Sequence, residues 1–351
     1  MRLTKRSLPN LIKFTAILLS FAIGPAAAAG LFGQSLDIPS KTWGISFGNS
    51  KSFSGLRFNF RDKQVREING VNFTLWRPHK DNKGSVISGL SLGVAPGGDH
   101  LRGIQIGILG AGGDTDMMGI NIGGLGVGAG EDLVGINIGG LGAGGGENVK
   151  GLSIGGLGVG AGENATGIFI GGLGAGAGAN LKGIAIGGLG VGAGEDATGI
   201  LIGGLGAGVG ENLTGLVIGG LGAGCGDTLS GVTIAGLGAG AGERINGLAI
   251  CGLAAGAPEI RGLVIGGIGA GGKDLQGAFL GLAMIRVEKG GRLSGLAASA
   301  FNHIRGNVNG LSIGIVNYAW TIEKGVQIGL VNIVRNNPKN LRVLPVFNTG
   351  F

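Results

Sequence analysis

The sequence predicts an all-β fold, a repeat β-solenoid of about 16-residue coils with capped ends, on three observations. Gly recurs in register: a new sixteen-residue unit opens without a gap at Gly103, Gly119, Gly135 and onward to Gly231, and fifteen-residue units follow at Gly247 and Gly262. Inside a unit the apolar period is two, which indicates strands and not helices. Gly and Pro supply 85 and 8 of 351 residues, a share of about 26% that signals disorder only when no period is present. Here 44% of residues are apolar and 13% are charged, the reverse of a disordered balance.

Taken in order, residues 1–29 read as an export signal. Arg2, Lys5, Arg6 and Lys13 precede the apolar run 14–23, Gly24 and Pro25 break it, and Ala27 and Ala29 fit a small-residue cleavage site before Gly30. Ten apolar residues fall well short of the ~20 needed to span a bilayer as a helix. The four basic residues before Gly30 take the formal charge from +7 to +3 on removal, so a nucleic-acid footprint largely disappears with them. Residues 30–88 carry looser repeats at Gly55 and Gly70 and much of the aromatic content, including Trp43, Phe53, Phe58 and Trp76. Phe58 and Phe60 alternate with Arg57, Asn59 and Arg61 as in a half-buried strand, and the segment is expected to cap the stack. Residues 89–276 form the regular Gly-rich array. Residues 277–351 hold degenerate repeats at Gly277, Gly295, Gly310 and Gly325 and a C-terminal cap.

A representative unit is GLSIGGLGVGAGENAT, residues 151–166. Leu152 and Ile154 occupy positions 2 and 4; after Gly155 and Gly156 the alternation resumes in the opposite phase with Leu157, Val159 and Ala161. A bend at the Gly pair is expected to turn both sets inwards, burying a continuous row of Ile and Leu, with Glu163 and Asn164 in the following turn. A lone unit would not fold, because each Gly in a strand costs roughly 0.5–1 kcal/mol relative to Ala. Stacked coils pair every backbone group and share one core.

An antiparallel outer-membrane β-barrel with a transport or pore role is the alternative. Export, strand-length units, regular turns and the terminal Phe351 suit it. The phase change at the Gly pair and the equal turns speak against a clean lipid-facing band.

The units resemble the short surface repeats of the leptospiral type, G-[hydrophobic]-x-[hydrophobic]-G followed by L-[hydrophobic]-N. GLSIGIVN from Gly310 to Asn317, GVQIGLVN from Gly325 to Asn332 and the closing LRVLPVFN carry the likeness. The resemblance implies a bacterial surface or outer-envelope protein without a defined activity.

No catalytic, cofactor-binding or metal-binding residue stands out. Gly267 to Lys273 has phosphate-loop spacing, but Asp274 stands where Ser or Thr is needed and no helical period follows. The units lack the Asp of calcium-binding rolls. His79, His100 and His303 show no metal-ligand spacing, and position 3 varies without a repeated ligand-reading column. Position 13 does repeat, with Glu131, Glu147, Glu163, Glu195, Glu211 and Glu243, a column open to a cation or a basic partner. Cys225 and Cys251 fall in different columns two units apart and are expected to be free. The function expected is therefore an exported protein of the outer membrane or cell surface, or else the periplasm, with a structural or interaction role and no enzymatic one. Self-association through flat Gly-rich faces, envelope components and membrane association are the partner classes open to it, and nucleic acid is not among them.

Overall fold

The computed structural model describes residues 35–351, and the expected export signal, residues 1–29, lies outside them. The chain divides into two compact units at Gly156 and Leu157. Each is built from parallel strands in which a residue pairs with the one a full coil later: Gly119 with Gly135 and Asn121 with Asn137 in the first unit, Gly199 with Gly215 and Ile202 with Ile218 in the second. This is a parallel β-solenoid. It excludes the antiparallel barrel, because among the described residues antiparallel pairing occurs only where Leu36–Pro39 meets Trp43–Phe47 and where Val343–Thr349 meets Val316–Val334. These two antiparallel strands terminate the parallel ladders, and Pro39 and Pro345 lie within them, where a missing N–H discourages further pairing.

A regular coil has one long and one short strand, such as Leu213–Gly219 and Gly222–Cys225. The long strand begins two residues before the opening Gly, and positions 15, 3 and 5 are buried on the inner face. The opening Gly is demanded by geometry: Gly215 has φ +132°, and a Cβ there would stand 2.0 Å from the carbonyl oxygen of Gly199. The same positive φ recurs at the opening Gly of the coils in both units.

The inner face differs from the sequence expectation. Leu152 and Ile154 point outwards, and Leu157 is 50% exposed. Buried instead are position 3 (Phe169, Ala185, Leu201), position 15 (Leu181, Ala197, Leu213) and, on the short strand, position 9 (Ala175, Val191, Ala207). Val159 and Ala161 are buried as expected. The physical reason is space. Gly at position 5 lets the two strands of a coil approach until the side chains of positions 15, 3 and 9 fill the middle, and period-two alternation then sends positions 2 and 4 out. The same parity corrects the N-terminal reading: Phe58 is 36% exposed, whereas Arg57 is wholly buried.

In the first unit the inner column at position 3 is polar: Ser46, Arg57, Asn72, Ser91, Gln105 and Asn121 are each 2% exposed or less. Burial of such groups is tolerated when they are hydrogen-bonded. Arg57 Nη1 donates to Asp62 Oδ1 at 2.5 Å and Asn72 Oδ1 at 2.8 Å, and Asp62 also accepts from Asn59, Asn72 and Thr74. Asn121 Nδ2 donates to Asn137 Oδ1 at 2.8 Å, and Asn137 Nδ2 to Ser153 Oγ at 3.1 Å. Ser91 and Gln105 are the exceptions, since neither Ser91 Oγ nor Gln105 Nε2 and Oε1 has a protein partner. Gln105→Leu should therefore raise stability by about 1 kcal/mol, because it removes an unsatisfied amide without opening a void. A urea melt with a lowered midpoint would contradict this.

Candidate interaction surface

The outward residues of the second unit sort into four groups of columns by chemistry. Positions 2 and 4 of the long strand carry Ile, Leu or Val; Ile168 and Ile170 are 40% and 37% exposed. Position 7, at the corner after the Gly pair, carries Leu: Leu173, Leu189, Leu205 and Leu221 are each 49–51% exposed. The corner is held by backbone bonds from coil to coil, Leu189 N to Leu173 O and Leu205 N to Leu189 O, both at 2.7 Å. The columns therefore run in register and place an aliphatic ridge beside an aliphatic face.

The short strand turns positions 8 and 10 outwards, and there the array has Gly, with Ala254 as the exception. At Gly208 the fold does not demand it. A Cβ added at Gly208 would meet no atom within 4 Å. Later coils of the same unit place Met284 and Arg286, then Phe301 and His303, then Val316 and Tyr318 in those two columns. The outcome is a strip of Gly, broken by one Ala, next to the Leu ridge. His303 stacks on Phe301 at 5.2 Å and meets Tyr318 edge-on. Burial, then the charges of Arg305 and Arg286, holds its imidazole below the ordinary 6.5. The neutral ring thus contributes stability that is complete above pH 6.5 and is lost as pH falls through the lowered value. His303→Phe should flatten the acid side of a stability-against-pH curve; an unchanged slope would count against this assignment.

The opposite corner is polar. Glu131, Glu147, Glu163, Glu195, Glu211 and Glu243 are all exposed at position 13. Within the second unit Glu211 N bonds Glu195 O at 2.8 Å, so the column is stacked as the spacing predicts. The next position, which sequence reasoning reads only as a turn, forms its own ladder: Asn180 Nδ2 donates to Asn164 Oδ1 at 3.1 Å and Asn212 Nδ2 to Asp196 Oδ1 at 3.0 Å. Among the described residues no three His, Cys, Asp or Glu side chains are grouped to hold a metal ion. His100 pairs with Asp116 at 3.0 Å and His79 lies 3.7 Å from Asp81, so the three histidines stay on separate coils. Cys225 and Cys251 are free, and burial pushes both thiols up. Gly267 to Lys273 enters the strand Gly269–Gly281 and meets no helix.

At the C-terminal end the Asn of the surface-repeat motif turns inwards. Asn317 Nδ2 donates to Ile328 O at 2.9 Å and Asn332 Oδ1 at 2.8 Å, and Asn302 donates to Asn317 at 2.7 Å, locking successive corners. Beside them the aliphatic columns widen into an open apolar groove of about 760 Å³ lined by Ile313, Ile315, Ile328, Leu330, Pro345 and Val346. Except at Ala179, the second unit's regular coils thus have an aliphatic side and a carboxylate corner. No protein-family model, curated protein or solved structure matches the chain, so its likeness to surface-repeat proteins rests on the motif residues alone.

Proposed function

We propose that the chain is an exported repeat protein of the bacterial cell envelope, at the outer membrane or cell surface, with a structural or interaction role and no catalysis. The observation that carries this reading is the outward aliphatic face, which repeats coil after coil where a solvated surface would carry polar side chains. Arg2, Lys5 and Arg6, the apolar run 14–23 and Ala27-x-Ala29 support export. The pore role falls with the barrel, since the interior of each unit is filled by side chains.

Cell fractionation with intact-mass measurement tests the proposal. The expected result is a chain beginning at Gly30 in the envelope fraction, extractable without detergent. A chain beginning at Met1 in the cytosol would refute it.

A further inference from the structure

We propose that the aliphatic face of the second unit is a docking surface for a second copy of this chain, joined sheet to sheet with the Leu ridge at its border. This deepens the interaction role above but does not depend on the compartment. Seven coils, opening at Gly167 through Gly262, carry three outward aliphatic residues each, at positions 2, 4 and 7. Twenty-one side chains, a third to a half exposed where their values are largest, match the 20–30 residues and roughly 800 Å² that each partner brings to a stable interface. Soluble monomers rarely expose a contiguous apolar patch beyond roughly 300–600 Å².

The identity of the partner follows from the regularity of the columns. Position 4 is Ile in all seven coils, from Ile170 to Ile265, and position 7 is Leu in six of them, from Leu173 to Leu253. A lipid surface does not distinguish Ile from Leu, Val or Phe, and it favours Trp or Phe with Lys and Arg alongside. None of the twenty-one residues is aromatic, and the neighbouring outward column carries Thr198, Thr214, Ser230 and Asn246, with Lys182 and Arg261 only towards its two ends. A column of one unvarying shape at one spacing suits a solid surface of the same spacing. Strands lie about 4.8 Å apart along the stack, and a second copy repeats that interval on its own face. Two such faces can pack about 10 Å apart, as sheets do in a sandwich, and a two-fold arrangement makes the contact self-complementary and closed. The Gly strip offers close approach but no apolar side chain, so it borders this contact and does not drive it.

Sedimentation equilibrium of the mature full chain, without detergent, tests the proposal. The expected result is a dimer at micromolar concentration, with Ile202→Lys plus Ile218→Lys weakening association at least tenfold while the far-ultraviolet dichroism stays that of wild type. Both side chains point away from the core, so the fold survives them, and Glu211→Lys at the opposite corner should leave the dimer intact. A spin label at Thr214 of the otherwise wild-type chain gives a reading independent of the Lys variants: a distance between copies should appear, because Thr214 borders the face. Wild-type protein that is monomeric to about 100 µM, that dimerises equally well with both Lys substitutions, or that stays monomeric while floating with phosphatidylcholine–phosphatidylglycerol vesicles would overturn the proposal. The last result would leave the envelope reading standing, whereas a dimer of a cytosolic, unprocessed chain would sink that reading alone.

Discussion

Gly215→Ala is expected to cost more than about 3 kcal/mol, enough to unfold much of the chain, whereas Gly208→Ala should be neutral or stabilising by up to about 1 kcal/mol. Only seven positions along the chain separate the two residues. At Gly215 the backbone has φ +132°, where an L side chain is strained, and the new Cβ meets the Gly199 carbonyl oxygen at 2.0 Å. That neighbour is backbone, fixed by the ladder above and below, so nothing flexible gives way. At Gly208 the Cβ enters open space, and the same column accepts Arg286, His303 and Tyr318 further along. What Ala changes there is chiefly the freedom of the unfolded chain. Urea melts of the two variants decide the matter, and equal effects would mean that the coil geometry is wrong.

Asp62→Ala should be the most damaging change in the first unit, at about 3–5 kcal/mol, since it leaves a fully buried guanidinium without its carboxylate. Asn49 and Asn72 still accept from Arg57, but neither carries charge. Arg57→Met in the same chain should recover part of the loss, because an apolar side chain of similar length suits the interior better than an unpaired cation. A double-mutant cycle by thermal melting would show the coupling. If Asp62→Ala alone proves mild, water reaches the pair and the interior is looser than described.

The strand period, the coil length and the capped ends are legible in the sequence because each depends on spacing. Which face is buried is not. Ile and Leu at positions 2 and 4 outnumber every apolar residue at position 3, and the rule that apolar residues go inside selects the wrong parity when a Gly takes part of the inner face. Variation at position 3 reads as an unused surface, since a ligand-reading column would repeat. It is the reverse: Asn121, Phe169 and Leu201 differ because each packs in its own surroundings, while the outward columns keep one shape. Position 15 is hidden in the turn, where Leu213 follows Glu211 and Asn212. The Ile column that forms the candidate surface is conspicuous in the spacing alone, but the ordinary rule of burial assigns it to the core.

A stack made of near-identical coils has an addressing problem. Pairing any coil with the next but one would still set Gly on Gly, Ile on Ile and Leu on Leu, so neither backbone nor exterior records the order of assembly. The inner column does. Phe169 lies on Ala185, and Ala185 on Leu201, large beside small. Skipping one coil would force Phe169 onto Leu201 and overfill a space made for a methyl group. One inner side chain per coil therefore acts as its label, so exchanging Phe169 and Ala185 would preserve composition and outer surface while scrambling the sequence in which coils find their neighbours.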